Sequence, residues 1–207
     1  MLPLVPRPSR TVPARVATLT AGCVVLGIGV TMLLTADLGS DGFSSLVNGL
    51  AISTGLPFFV ANLAVSVVFL AVAAARRVIP GIGTLVQIVV VGLVVDRLLL
   101  VLETPDTLLG QVVLLVAAFP VLAIGIAVYL GAHLGAGPIE AAGLAWDPPV
   151  PFKWSYSAVQ GGGALAGWLL GATIGPGTIA VIVLLGPAVD LAARSLQLDV
   201  HQGSGER

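Results

Sequence analysis

Long uninterrupted apolar runs dominate the chain, separated by short segments rich in glycine, proline and charge. Six runs approach or exceed the roughly 20 helical residues needed to cross a hydrocarbon layer: residues 16–36, 57–75, 82–102, 108–131, 153–172 and 177–196. None alternates apolar with polar positions over about ten residues, as a membrane barrel strand would. Backbone groups in lipid must be satisfied within their own segment, so the runs read as helices. Residues 41–54 and 138–146 are also helix-like but too short to span. Each follows a glycine-rich turn and lies between two long runs. Each is expected either on the membrane surface or as a half-helix that dips in and returns.

Composition supports the bilayer as solvent. The 207 residues are 57% hydrophobic and 9% charged, against about 25% charged in a soluble domain. Nine Lys/Arg balance ten Asp/Glu, too even a charge to follow nucleic acid. The single Cys23 excludes an internal disulfide, and His133 and His201 lie far apart, so no metal site is expected. The chain has no nucleotide fingerprint and no Ser/His/Asp set. It is therefore read as a non-enzyme without cofactors.

Arg7, Arg10 and Arg15 precede the first run, which continues uncharged from Val16 to Leu34. That is long enough for a retained span rather than a signal peptide. With the N-terminus in the cytoplasm and six crossings, Arg76, Arg77, Lys153, Arg194 and Arg207 also fall inside, leaving only Arg97 near the outer face. Such a bias is what the positive-inside rule requires. The expected divisions are a disordered cytoplasmic lead (1–15), a first membrane repeat (16–106), a second (107–196) and a polar tail (197–207). The expected location is the cytoplasmic membrane of a bacterium, with both termini inside.

The two halves are related. Residues 26–42 read LGIGVTMLLTADLGSDG and residues 122–138 read LAIGIAVYLGAHLGAGP, with seven of seventeen positions identical at an offset of 96. Residues 81–96 (GIGTLVQIVVVGLVVD) and 175–190 (GPGTIAVIVLLGPAVD) match at eight of sixteen, offset 94. Apolar bias inflates Leu and Val matches but does not place Gly-x-Gly-Thr and a terminal Asp in register. An odd number of crossings per unit inserts the second copy upside down. The expected fold is therefore an all-α integral membrane protein with six transmembrane helices. They form two inverted-topology repeats of three spans, each with a short extra helix after its glycine turn. In secondary transporters built this way the site lies near midplane, between the repeats.

The ADLGSDG and AHLGAGP turns, together with GIGT and GPGT, resemble the YczE/YyaS/YitT-type bacterial membrane proteins, closest to the YczE-like branch. The resemblance covers roughly residues 20–196. In that family the first turn often reads A-x-L-G-x-G-P-W-D. Here Ser40-Asp41-Gly42-Phe43-Ser44 departs from it, whereas Gly135-Ala136-Gly137-Pro138 keeps it. The resemblance implies the architecture and no particular substrate.

Candidate binding groups follow from these elements. Gly39, Ser40, Asp41 and Gly42 precede one short helix; Gly135, Gly137 and Pro138 precede the other, which carries Glu140. A helix start offers free N–H groups and can hold an anion; the alternative is that these glycines simply let the chain turn and pack. Asn62, Gln87 and Gln160 lie within spans, where amides either bind solute or bridge helices. Asp96 and Asp190 occupy equivalent positions and are candidates for ion coupling, or else helix-end charges. Trp146, Trp154 and Tyr156 are expected to anchor at the inner boundary. The functional reading is a small-solute secondary transporter working by alternating access, with lipid and an unidentified solute as partners. The alternative is a non-catalytic membrane binding or accessory subunit, acting as a homo-oligomer or beside a partner membrane protein.

Overall fold

In the computed structural model, residues 11–146 and 149–198 are described, the side chains of residues 152 and 153 excepted. Eight helices account for the regular structure among them: α1 (Val12–Thr35), α2 (Gly42–Thr54), α3 (Phe58–Ala75), α4 (Ile82–Leu98), α5 (Leu108–Leu130), α6 (Pro138–Leu144), α7 (Phe152–Leu169) and α8 (Pro176–Ser195). All six long runs and both short stretches form helices. Helix α1 starts earlier than the sequence implied, so residues 12–15 of the expected disordered lead are helical. Pro13 sits in its first turn, where the missing N–H costs no helical hydrogen bond. Residues 1–10 of that lead, and residues 199–207 of the tail, lie outside the described residues.

Four helices, α1, α3, α5 and α8, are long and apolar enough to cross a membrane. Helix α4 has 17 residues, and α7 dilutes its apolar residues with four glycines, Ser155 and Gln160. Many outward side chains are hydrocarbon, among them Val67, Leu109, Val116, Val183 and Leu191. In water such a surface would aggregate; in lipid it is the solvated face.

Helices α1 and α5 form the centre. Gly22 lies against Tyr129, Leu26 against Gly125 and Gly29 against Leu122. Partner numbers fall as α1 numbers rise, so the two helices run antiparallel. The approach is close: a Cβ at Gly125 would lie 2.5 Å from the Leu26 backbone nitrogen. Helix association in lipid rests on such packing, since lipid tails are as apolar as leucine. The contacts are also reciprocal, because offset 96 carries Leu26 onto Leu122 and Gly29 onto Gly125.

Other contacts recur at related positions. The Leu38 carbonyl accepts from Gly177 N–H and the Leu134 carbonyl from Gly83 N–H, both at 2.8 Å. Each turn of one half thus docks on a helix start of the other. Positive φ recurs at Asp37 (52°) and His133 (51°), at Gly39 (99°) and Gly135 (134°), and at Arg77 (65°) and Gly171 (100°). Left-handed backbone is uncommon outside glycine.

The short helices lie inside this frame. Helix α2 begins where Gly42 meets Gln160, midway along α7, and runs parallel to α7 so that Gly49 meets Gly167 and Ile52 reaches Gly171. Of the four α7 glycines, Gly163 and Gly167 receive α2 backbone, while Gly161 and Gly162 face open space. Helix α6 packs between α3 and α7; the Gly143 carbonyl accepts from Ser155 Oγ at 2.8 Å. Just beyond its end, Arg76 lies 4.1 Å over the Trp146 ring.

Candidate functional site

The start of α2 and the start of α6 meet at one cavity of about 90 Å³, to which all eight helices contribute side chains. Asp41 closes the α2 start, its Oδ1 accepting from Ser44 N–H at 3.0 Å. This is an ordinary cap, and it satisfies one of the helix's orphan donors. A second donor, Gly42 N–H, bonds Gln160 Oε1 at 2.7 Å. Gln160 Nε2 in turn donates to the Tyr156 hydroxyl at 3.0 Å. Four residues apart, Tyr156 and Gln160 share one face of α7.

The α6 side is arranged differently. The Tyr129 hydroxyl donates to Glu140 Oε1 at 3.3 Å. Glu140 Oε2 and Gln87 Oε1 are both sealed from solvent without a hydrogen-bond partner, and both crowd the point where Gly137 would carry a Cβ. Asn62 on α3 lines the same cavity, its Nδ2 donating to the Ile88 carbonyl at 2.9 Å. The remaining wall is hydrocarbon and aromatic, including Leu26, Val30, Phe43, Phe58 and Leu122.

Two carboxyl groups face this space, and no lysine, arginine or histidine lines it among the described residues. Both acids sit on the short helices rather than on the long segments.

Of the residues singled out from the sequence, Asp41, Pro138, Glu140, Asn62, Gln87 and Gln160 line the cavity, while Gly42 and Gly137 border it through Gln160 and through Glu140 with Gln87. Gly39 and Gly135 stand apart, in the turns that dock on α8 and α4. Ser40 bonds Ser45 Oγ at 2.8 Å and, with Gly39, borders a separate void of about 10 Å³. Asp96 lies outside the cavity, its Oδ1 accepting from Phe59 N–H at 3.2 Å at the start of α3. Asp190 is exposed on α8. The acids also alter the expectation for the helix starts, since a carboxyl group stands where a bound anion was envisaged.

Sequence reasoning did not place Tyr129 in the site and assigned Tyr156 to the membrane boundary. Tyr156 instead faces the cavity with Gln160. One signal was available: offset 94 superposes Tyr156 on Asn62, a residue already singled out.

Comparison with known proteins bears on identity. Over 167 residues the chain is 28% identical to an uncharacterized protein of Haemophilus influenzae, covering 80% of this chain and 77% of that one. Over 114 residues it is 30% identical to the uncharacterized membrane protein YczE of Bacillus subtilis, covering 53% of this chain and 52% of YczE. No solved structure matches. A family model, described as a family of unknown function (DUF6198), matches residues 13–194. With its apolar helices and these relatives, the chain is a membrane protein of the YczE-like type and belongs to that family.

Proposed function

We propose that the protein is a small-solute secondary transporter of the bacterial cytoplasmic membrane. It works by alternating access between two inverted repeats of three spans, with the α2–α6 cavity as the central site. One observation carries this reading: two short helices between the long ones begin at one cavity and present Asp41 and Glu140 to it. Gln160 is the ninth residue of α7, about 12 Å along the helix at 1.5 Å per residue, so the α2 start is deep within a layer of roughly 30 Å. Discontinuous helices meeting at midplane are how such transporters hold solute.

The reciprocal contacts of α1 with α5, and of each turn with the other half, support the inverted repeat. On this reading α4 and α7 are the remaining two spans, tolerated at their length and polarity because both line the site. Arg15, bonded to the Ala132 carbonyl at 2.9 Å, groups with Arg76 and Arg77 at the cytoplasmic end. Alternating access then amounts to rocking one repeat against the other about the α1–α5 seam.

Reconstituted protein in liposomes, screened with small amines, alcohols, amides and carboxylates, tests this. Saturable uptake of at least one class, lost in the Asp41→Asn/Glu140→Gln double variant, is expected. Absence of uptake for every class by protein that is folded and inserted overturns it.

A further inference from the structure

The cavity has a chemical sign, a geometry and a size, and together they name a ligand class. Its charge is acidic: Asp41 and Glu140 face it, and no cationic side chain among the described residues does. The α2 start does not reverse this, since the Asp41 carboxyl already accepts from its first turn. Glu140 Oε2 and Gln87 Oε1 are two acceptors, buried, without partners, and close enough together that both crowd the absent Cβ of Gly137. Leaving buried polar atoms unpaired is costly; a carboxylate oxygen and an amide oxygen cannot satisfy each other, and Gln87 Nε2, near the same point, makes no hydrogen bond to Glu140 Oε2. What completes them is a single group bearing several N–H donors.

The rest of the wall is apolar, with the Phe43, Phe58 and Tyr129 rings among it. A bare metal ion would need about six oxygens around it, whereas only two of the lining oxygens, Glu140 Oε2 and Gln87 Oε1, are buried without a partner. An ammonium group with a short hydrocarbon body matches both halves of the cavity: N–H groups toward Glu140 and Gln87, carbon toward the leucines and aromatic faces, which attract cations. A volume of about 90 Å³ is smaller than the roughly 150 Å³ that admits benzene, so the ligand has only a few heavy atoms in this conformation. We propose that this site selects a small protonated alkylamine, with Glu140 and Gln87 receiving the ammonium group and Asp41 supplying the second negative charge. The inference rests on the transporter reading only for movement, not for binding.

The experiment is a direct binding titration on full-length protein in lipid nanodiscs, at neutral pH. The probes are propylammonium, propanol and propionate, which share a carbon skeleton and differ in charge, with sodium and potassium chloride as metal controls. The expected result is saturable binding of propylammonium at least tenfold tighter than of propanol or propionate, and weakened at least tenfold by Glu140→Gln. Equal binding of the three organic probes, preference for propionate, or a response to the inorganic salts equal to that for the amine overturns the proposal. If Glu140→Gln fails to fold, the comparison of probes on the unsubstituted protein still decides. Amine binding without uptake in liposomes sinks the transport reading and keeps the cation site. Uptake confined to neutral or anionic solutes keeps transport and sinks the cation site.

Discussion

The close seam between α1 and α5 makes a quantitative prediction. A Cβ at Gly125 would lie 2.5 Å from Leu26 N and 2.7 Å from Leu26 Cα, where ordinary contact begins at 3.4 Å. The obstructing atoms are backbone, so no side-chain rotation relieves them, and in Gly125→Ala the two helices must separate by about 0.9 Å at this level. A gap of that size forfeits up to about half of each carbon–carbon attraction of roughly 0.1–0.2 kcal/mol. Over a few tens of atom pairs the loss is about 2 kcal/mol, within the range for overpacked cores. For a chain of this length that lowers Tm by about 4–8 °C. Gly161→Ala is the control, because nothing lies within 4 Å of its Cβ position; replacing a helical glycine there is neutral or gains up to about 1 kcal/mol. Thermal unfolding of both variants in one detergent measures the contrast. Leu26→Ala added to Gly125→Ala does not restore stability, since Leu26 N and Cα remain. A Gly125→Ala protein within 1 °C of the parent, or a Gly161→Ala protein that falls as far, refutes the reasoning.

Asp41→Ala removes the α2 cap and is expected to cost about 0.5–2 kcal/mol, whereas Asp41→Asn keeps most of that stability. The assay is denaturant titration, and equal losses in the two variants argue against capping. Asp190→Asn should be silent in stability, within about 0.5 kcal/mol, while Asp96→Ala loosens the start of α3; the reverse order under heat would undo both assignments. Reporter tags after Leu102 and after Leu196 should label opposite sides of the membrane, and labelling on the same side collapses the inverted repeat.

Much of the fold could be read without coordinates, for one reason. In lipid a helix must be continuously apolar over a known length, so the runs at 57–75 and 108–131 marked α3 and α5 to within a residue or two. The glycine turns, with the Gly-x-Gly-Thr segments, marked where one helix gives way to the next. Candidate residues on these elements, Asp41, Glu140, Gln87 and Gln160, did reach the cavity, because the short helices that carry them start there.

The inward faces were not legible. A helix in water shows its buried side by the contrast between apolar and polar positions, but α1 and α5 are apolar all round, with protein on one side and lipid on the other. Position alone therefore sent Tyr156 to the membrane boundary and left Asp96 between a coupling role and a helix-end charge. Tertiary packing instead turned Tyr156 inward beside Gln160 and placed Asp96 against the start of α3. The sequence by itself determined the number and order of the helices, since each apolar run declares itself one segment at a time. Only the tertiary structure decided that the two short helices share a single acidic cavity, because that depends on glycine contacts between residues about a hundred positions apart.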